Sequence, residues 1–426
     1  MKQSIIWRGL SFLSLLFLNI FLSRFLKAEG IGFVFYLTNL FSLWVLIGSF
    51  NLDGSFTYFS ASKNVHYNQL ALLCIIWAIA TSVICFFLFP VYFNFFDNDL
   101  LANGFKLSVY GFYYLLGIIL ANYFIALFYS LGDFRLPNII LATSNLLFIA
   151  LIHFGNQTYA SSRNIINDYF YFIFLQGIAL LVAFFIKHKS YLNYKLPNIV
   201  QLKQIASYSA IGLTGNFIFF FVYRLDYWFV KNWCHQNGDL GNYIQASKLA
   251  QMLLILPQIL ASSIFPAVAS GEKNELIVKN ISKLFKLFLI LYIIIIISFL
   301  VLGKWMLPAV FGDSFNAMYY PLLILLPGIF CLSISALLSA YFSGNKQNKY
   351  NVYAALLALF IMITLSYFFK NNYTIKTAAV ISSVAYFFEA GYCFIIFLRQ
   401  AKINPKDFFS FKAIDFKTLN IFNTSK

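Results

Sequence analysis

Long apolar segments, separated by short polar ones, follow one another along the whole chain. A helix needs about 20 mostly apolar residues to span a membrane. Twelve segments are of about this length, at approximately 5–26, 31–50, 70–89, 108–130, 138–154, 169–186, 207–230, 241–266, 284–303, 319–341, 350–369 and 377–398. Turn formers separate them, including Asn51-Leu-Asp-Gly, Pro90, Gly132-Asp133, Gly238-Asp239, Gly312-Asp313 and Gly344-Asn345. The pattern predicts an all-α polytopic membrane protein with 12 transmembrane helices.

The composition excludes a soluble protein. Of the 426 residues, 61% are apolar and only 10% are charged, with a mean hydropathy of +0.78, whereas soluble domains carry about 25% charged residues. The formal net charge of +16 would point to nucleic acid in a soluble protein. In a membrane protein it reflects topology first, so we expect no nucleic-acid partner.

The basic residues predict the orientation. With the N-terminus inside, 20 Lys and Arg residues fall on the inner side and 8 on the outer side, while Arg224 and Lys248 lie within spans. Because basic residues accumulate in cytoplasmic loops, we predict that both termini are cytoplasmic. The first apolar run reaches Leu26 without a small-residue cleavage site, so we interpret it as a retained span rather than a signal peptide.

An internal repeat relates the two halves of the chain. A shift of 209 residues places Gly32 on Gly241, and a shift of 212 places Gly132 on Gly344. Six spans per half keep both copies in the same orientation, which predicts two six-helix lobes related by a pseudo-two-fold axis along the membrane normal. The predicted divisions are an N-terminal lobe at 1–186, a cytoplasmic connecting loop at 187–206, a C-terminal lobe at 207–398 and a basic cytoplasmic tail at 399–426.

Several polar stretches resemble those of the Wzx-type O-antigen and capsular polysaccharide flippases, a branch of the multidrug, oligosaccharidyl-lipid and polysaccharide exporter superfamily. They are Ser23-Arg-Phe-Leu-Lys-Ala-Glu-Gly-Ile-Gly32, Gly48-Ser-Phe-Asn-Leu-Asp-Gly-Ser55, Arg224-Leu-Asp226, Gly241-Asn-Tyr-Ile-Gln-Ala246 and Gly344-Asn-Lys346. This chain has Ala28 where the family usually has proline. The pattern covers about the whole chain.

The resemblance implies a MATE-like fold and a non-enzymatic activity. It implies that an undecaprenyl-pyrophosphate-linked oligosaccharide is flipped across the bacterial cytoplasmic (inner) membrane by alternating access, for O-antigen (lipopolysaccharide), capsule or exopolysaccharide synthesis. The implied partners are membrane lipids, the polyprenyl-pyrophosphate-linked glycan, and a polysaccharide polymerase with its chain-length machinery.

Two acidic residues lie inside spans, where charge is costly. Glu389 is about 12 residues into the last span, and Asp226 lies in the seventh. We predict both as sites for a coupling ion, H+ or Na+. The alternative is a structural role, with Glu389 bonded to a neighbouring helix and Asp226 paired with Lys248.

Four basic residues are candidates for binding a pyrophosphate, because a guanidinium can contact two oxygens of a phosphate at once. They are Arg224, Lys248, Arg24 and Arg8. For Arg224 and Lys248 the alternative is snorkelling or a structural ion pair. Arg24 is alternatively an interface anchor, and Arg8 a contributor to the positive-inside bias.

Pro257 and Pro327 lie inside predicted spans, where they bend a helix. We predict them as gating hinges, with static kinks as the alternative. Five cysteines and four histidines are scattered and form no ligand pattern, so neither a metal site nor a cofactor is expected. After Arg399, alternating aromatic and basic residues predict an interfacial or a disordered segment.

Two other functions compete with the flippase. A cation-coupled drug or small-molecule antiporter of the same fold would have acidic and aromatic side chains in its cavity rather than arginines. A membrane glycosyltransferase or polymerase would place acidic, His or Arg residues on a sizeable outer loop, and the outer loops here are short.

Overall fold

The computed structural model describes residues 2–96, 104–155, 162–188, 195–236, 238–269, 274–402 and Phe408. All the regular structure in these ranges is helical. The helices are α1 (Lys2–Ser49), α2 (Leu52–Ala61), α3 (Tyr67–Phe96), α4 (Gly104–Ser130), α5 (Arg135–Phe154), α6 (Ser162–Lys187), α7 (Ile199–Trp233), α8 (Asp239–Met252), α9 (Ile255–Ala269), α10 (Asn274–Phe311), α11 (Tyr319–Gly344), α12 (Lys349–Phe368) and α13 (Ile375–Ala401). Short 3-10 helices lie at Asp313–Met318 and Lys370–Asn372.

Among the described residues, eleven helical stretches are long and apolar enough to cross a membrane. One of them, Ile6–Ser49, contains the first two predicted spans, because α1 is interrupted only at Lys27, where φ is 57° and ψ is 179°. Each predicted span therefore falls on a single helix, except the eighth, which is divided between α8 and α9. Large apolar side chains are exposed on several helices, among them Phe87, Phe154 and Trp305, as expected where lipid is the solvent. The chain is a multi-pass membrane protein.

The chain forms two compact units. Unit 1 comprises Met1–Leu26 and Phe33–Phe217, and unit 2 comprises Lys27–Gly32 and Ile218–Lys426. Within unit 1, α4 packs against α2, α3 and α6. Within unit 2, α11 packs against α8, α9, α10 and α13, and α12 packs against α13. The long helix α7 contributes its first half to unit 1 and its second half to unit 2.

Three helix boundaries differ from the predicted ones. Pro90 does not end a helix but lies inside α3, which continues to Phe96. A proline removes one backbone hydrogen bond, and such losses are tolerated in membrane helices because neighbouring groups satisfy the freed carbonyl. The helix α7 starts at Ile199, within the predicted connecting loop. The predicted eighth span is divided into α8 and α9 by a turn at Leu253 and Leu254.

The segment Lys27–Gly32 belongs to unit 2, although it comes from the N-terminal part of the sequence. The amide of Ala28 donates a hydrogen bond of 3.1 Å to the hydroxyl of Ser314. The same segment lies against Gly241 at the start of α8, where backbone meets backbone. The residues before and after this segment belong to unit 1, so unit 2 holds a part of α1 that is remote from it in sequence.

Candidate functional site

Asp226 is buried where three helices of unit 2 meet. It lies late in α7, with 1% of its surface exposed. The hydroxyls of Tyr243 on α8 and Ser382 on α13 donate hydrogen bonds of 2.5 and 3.1 Å to its Oδ2. Its Oδ1 is buried and has no hydrogen-bond partner among the described residues. An unsatisfied carboxylate oxygen is costly in such surroundings, and a proton or a small cation at Oδ1 would remove that cost.

Arg224 takes part in a chain of polar side chains on α7 and α8. Arg224 donates a 3.4 Å hydrogen bond from Nη1 to the hydroxyl of Tyr227, and its guanidinium lies 5.5 Å from the centre of that ring. Tyr227 in turn bonds to Ser247 at 3.1 Å, next to Lys248 in the sequence. Arg224 and Lys248 are half-buried. The alternative interpretation of the sequence pairs Asp226 with Lys248; the hydrogen-bond donors on Oδ2 are the hydroxyls of Tyr243 and Ser382.

Glu389 lines a cavity of about 390 Å³ inside unit 2. The residue is 3% exposed, and its Oε2 is buried without a hydrogen-bond partner among the described residues. The wall is formed by α7, α9, α11, α12 and α13, with Phe219, Tyr223 and Phe265 as its aromatic members. The lining residues, all of which the structure describes, include no Lys and no Arg. Asp226 is not one of them.

Two further acceptor atoms in this cavity wall lack partners in the described part of the chain. Asn351 donates from Nδ2 to the carbonyl of Ser339 and to the hydroxyl of Ser343, both at 3.2 Å, and its Oδ1 is buried and unsatisfied. The hydroxyl oxygen of Ser335 is also buried and unsatisfied. Because both amide hydrogens of Asn351 have acceptors, its remaining capacity is that of an acceptor.

Asn351 and Ser335 are not among the sequence-predicted site residues, although Ser335 belongs to a pattern that can be recognised in the sequence. Ser335, Ser339 and Ser343 are spaced four residues apart on α11, so they share one face of the helix. A serine repeat of this kind in an apolar span marks a face that does not contact lipid. Asn351 and Tyr243 leave no comparable signal, because their side-chain partners come from other helices.

Arg8 and Arg24 lie in unit 1 and are exposed. The Arg8 guanidinium lies 4.4 Å from the ring centre of Tyr129 and 5.5 Å from that of Phe134, a cation–π arrangement. The four basic residues predicted to bind pyrophosphate thus divide between the units, with Arg224 and Lys248 in unit 2.

The two prolines predicted as hinges lie at different positions within their helices. Pro257 lies in the first turn of α9, where proline is tolerated because the first amides of a helix have no partner within it. Pro327 lies inside α11. Next to it, Gly328 is so close to α13 that a Cβ there would be 2.7 Å from Cα of Ser383, whose hydroxyl donates to the carbonyl of Ile324 at 2.6 Å. The helix next to Pro327 is therefore tightly packed against α13.

The described residues contain no group of three or more His, Cys, Asp or Glu that could hold a metal ion. The five cysteines are free thiols. Of the predicted tail after Arg399, the structure describes residues 400–402 and Phe408. Phe408 is buried beside Phe285 and Phe394, and its carbonyl accepts a 2.9 Å hydrogen bond from Ser282.

No protein-family model and no curated protein sequence matches the chain. Solved structures do. The lipid II flippase MurJ, in an inward closed conformation, has a TM-score of 0.73 at 14% identity, over 96% of this chain and 89% of that chain. A multidrug resistance MATE family transporter of the MOP superfamily, in an inward-facing conformation, has a TM-score of 0.72 at 12% identity, over 94% of this chain and 98% of that one. The fold is MATE-like.

The Vibrio cholerae MATE transporter VcmN, in its bent form, is also similar, with a TM-score of 0.63 at 12% identity, over 96% of this chain and 98% of that chain. At these identities the similarity is one of fold. The predicted MATE-like, all-α architecture is confirmed, while the Wzx-type assignment, the substrate and the site residues stay predictions.

Proposed function

We propose that the protein is a transporter that flips an undecaprenyl-pyrophosphate-linked oligosaccharide across the bacterial inner membrane by alternating access. The proposal is supported by the Wzx-like sequence stretches and by a MATE-like fold that this chain shares with a lipid II flippase. Its cargo would serve O-antigen, capsule or exopolysaccharide synthesis, and its downstream partners would be a polysaccharide polymerase and chain-length machinery. The excess of basic residues on one side of the membrane supports cytoplasmic termini.

The observation that carries the proposal is the state of Asp226. A buried carboxylate with two hydroxyl donors on one oxygen and none on the other has the chemistry of a site for H+ or Na+. A cation bound to Asp226 would alter the hydrogen bonds that this residue accepts from Tyr243 on α8 and Ser382 on α13. Cation binding would therefore change how these helices pack, which is the property that coupling requires.

The two acidic residues differ in their surroundings, and this separates their proposed roles. Asp226 is enclosed by protein groups, whereas Glu389 faces a cavity of about 390 Å³, far larger than an unsolvated ion. We therefore assign the coupling cation first to Asp226. The role of Glu389 as a second cation site stays a prediction.

The pyrophosphate is proposed to interact with Arg224 and Lys248 of unit 2. Both are basic residues within membrane-spanning helices, and a guanidinium can contact two oxygens of a phosphate at once. Arg24 and Arg8 are proposed to contact the pyrophosphate as it leaves or enters the protein, and their exposure in unit 1 is compatible with that role.

A second candidate is a cation-coupled antiporter of drugs or other small molecules. One observation favours it: the cavity in unit 2 has an acidic group and three aromatic side chains but no basic residue in its wall. Acidic and aromatic side chains without arginines are the cavity composition expected of a cation-coupled drug or small-molecule antiporter.

The two candidates are separated by transport in proteoliposomes that contain the purified full-length protein. One set receives a labelled prenyl-pyrophosphate oligosaccharide, and another receives a fluorescent cationic dye together with an imposed H+ or Na+ gradient. Movement of the glycan above that in empty vesicles supports the flippase. Gradient-dependent dye export without glycan movement supports the antiporter instead.

A further inference from the structure

We propose that one end of unit 1 binds the phosphate group of an anionic phospholipid of the surrounding bilayer, with Arg8 and Arg135 as its contacts. The cavity around Glu389 and the buried Asp226 belong to unit 2, so this site is distinct from both. It takes a lipid of the bilayer rather than the cargo, and it does not depend on the proposed function. A cargo that enters past Arg8 would displace the phospholipid.

The ends of four helices meet in this part of unit 1. α1 and α5 begin here, and α4 and α6 end here. Arg8 of α1 contacts Tyr129 near the end of α4, and Lys187 at the end of α6 pairs with Asp133 in the turn between α4 and α5. Because helices of this length and apolarity cross the membrane, their ends lie close to the membrane surface, where the phosphate groups of phospholipids are.

Arg8 and Arg135 lie over aromatic rings in a reciprocal arrangement. The guanidinium carbon of Arg8 is 4.4 Å from the ring centre of Tyr129 and 5.5 Å from that of Phe134. The guanidinium carbon of Arg135 is 5.3 Å from the ring centre of Trp7. Each arginine thus contacts the residue that precedes the other one in the sequence, which places both at the junction between α1 and the start of α5.

Both guanidinium groups keep their capacity for hydrogen bonding. Arg8 and Arg135 are exposed, and within the described part of the chain neither side chain donates a hydrogen bond to an oxygen or pairs with a carboxylate. The neighbouring acid, Asp133, is occupied by Lys187 and by backbone amides. A guanidinium has five N–H donors and can contact two oxygens of a phosphate at once. Two arginines held by rings rather than by carboxylates therefore form a positively charged site for a phosphate.

The surroundings favour a phosphate that is carried by a lipid. Trp and Tyr concentrate at the boundary between membrane and water, and the two arginines lie over Trp7 and Tyr129. An exposed apolar face starts next to Trp7 in the sequence and runs along α1 at steps of four, three and four residues. It consists of Ile6, Leu10, Leu13 and Phe17. Acyl chains can cover this face, and the net positive charge of the arginines favours an anionic headgroup, such as phosphatidylglycerol, over a zwitterionic one.

The test uses the purified full-length protein in nanodiscs and reports on Trp7 itself. The discs contain phosphatidylcholine with a minor fraction of either phosphatidylglycerol or phosphatidylcholine whose acyl chains are brominated, because bromine quenches the fluorescence of a tryptophan that it contacts. The difference between the unmodified protein and Trp7→Phe isolates the quenching at Trp7. We expect phosphatidylglycerol to be preferred at this position at least about tenfold, since each basic residue near an anionic headgroup contributes about fivefold.

Variants of the two arginines separate this site from the other basic residues, each measured with and without Trp7→Phe. Arg8→Gln combined with Arg135→Gln should reduce the preference to about twofold or less, and each single change should lower it about fivefold. The single variants provide the test if the double variant does not fold. The matched control is Lys304→Gln, which removes an exposed basic residue of α10 in unit 2 and should leave the preference unchanged.

Equal quenching of Trp7 by the two brominated lipids would overturn the phospholipid site, as would an unchanged preference in the double variant. Release of phosphatidylglycerol by an excess of soluble glycerol phosphate would assign the site to free phosphate compounds and would also overturn it, whereas retention of the lipid supports it. None of these results bears on the proposed function, because the discs contain no cargo.

Discussion

Gly32 and Gly241 pack backbone to backbone in unit 2. A Cβ at Gly32 would lie 2.7 Å from the amide nitrogen of Gly241, and a Cβ at Gly241 would collide with the carbonyl of Ala28. Neither glycine has a positive φ, so conformational freedom is not the reason for glycine here. The reason is the close approach of the segment Lys27–Gly32 to α8.

This contact predicts that Gly241→Ala destabilises the protein. A helical Gly→Ala change normally stabilises by about 0.5–1 kcal/mol, but overpacking against a backbone costs about 1–3 kcal/mol. Thermal unfolding in detergent should therefore show a lower midpoint for Gly241→Ala. The matched control is Gly391→Ala in α13, where a Cβ meets no atom within 4 Å; an equal shift in both variants would contradict the account.

The same pair shows how far sequence analysis reaches. The repeat aligns Gly32 with Gly241. The alignment does not reveal that the backbones of these two glycines are in contact. The spans were predictable because lipid requires every backbone group to be satisfied within a helix, so span length and apolarity follow directly from the bilayer. The prediction of a helix end at Pro90 is wrong, because the loss of a single backbone hydrogen bond does not end a helix within the membrane.

The candidate site was predictable only in part. Asp226, Glu389, Arg224 and Lys248 stand out because charge is rare in apolar spans. The hydrogen-bond partners of Asp226 cannot be recognised in the sequence, because Tyr243 and Ser382 lie on other helices and contact it only in the folded protein. The difference between an enclosed carboxylate and one that faces a cavity depends on packing of several helices, which no local pattern encodes.

Asp226→Asn should abolish the cation dependence of flipping. The substitution keeps the size of the side chain and an oxygen that can accept from Tyr243, but it removes the charge that would hold H+ or Na+. We expect the flipping rate of the variant to be the same with and without a cation gradient. Asp313→Asn, at an exposed position, should retain the dependence of the unmodified protein, and a gradient response in Asp226→Asn would remove this residue from the coupling site.

Arg224→Ala should weaken interaction with a pyrophosphate-linked cargo while membrane abundance stays unchanged. A guanidinium contacts two phosphate oxygens in a fixed geometry, and an ammonium does not, so Arg224→Lys should recover only part of the activity. The apparent KM for cargo lipid measures this effect. Tyr227→Phe removes the hydrogen bonds of this hydroxyl to Arg224 and Ser247; if it reproduces the loss in Arg224→Ala, the arginine acts by holding Tyr227 rather than by contacting the cargo.

The ion pair of Lys187 and Asp133 predicts a pH-dependent stability at one edge of unit 1. Lys187 Nζ is 2.5 Å from Asp133 Oδ2, and Oδ1 accepts from the amides of Arg135 and Leu136 at 3.1 Å each. Partial burial raises the pKa of Asp133, but the hydrogen bonds from Lys187 and the amides outweigh it, so the pKa lies below its ordinary value.

A lowered pKa in the folded state means that the stabilisation is present above about pH 4, the ordinary value for Asp, and is lost as the pH falls through the folded-state pKa. Asp133→Asn should cost about 1 kcal/mol at pH 7. The difference in thermal unfolding midpoint between the unmodified protein and Asp133→Asn should vanish at acidic pH, where Asp133 is protonated. A difference that is independent of pH would show that the carboxylate charge does not contribute.

Flipping of a prenyl-pyrophosphate-linked oligosaccharide by the purified protein in proteoliposomes tests the central claim most directly. The account predicts that labelled glycan reaches the opposite leaflet faster than in protein-free vesicles, and that Arg224→Ala slows it. A rate equal to that of protein-free vesicles, with active export of a cationic dye by the same preparation, would contradict it.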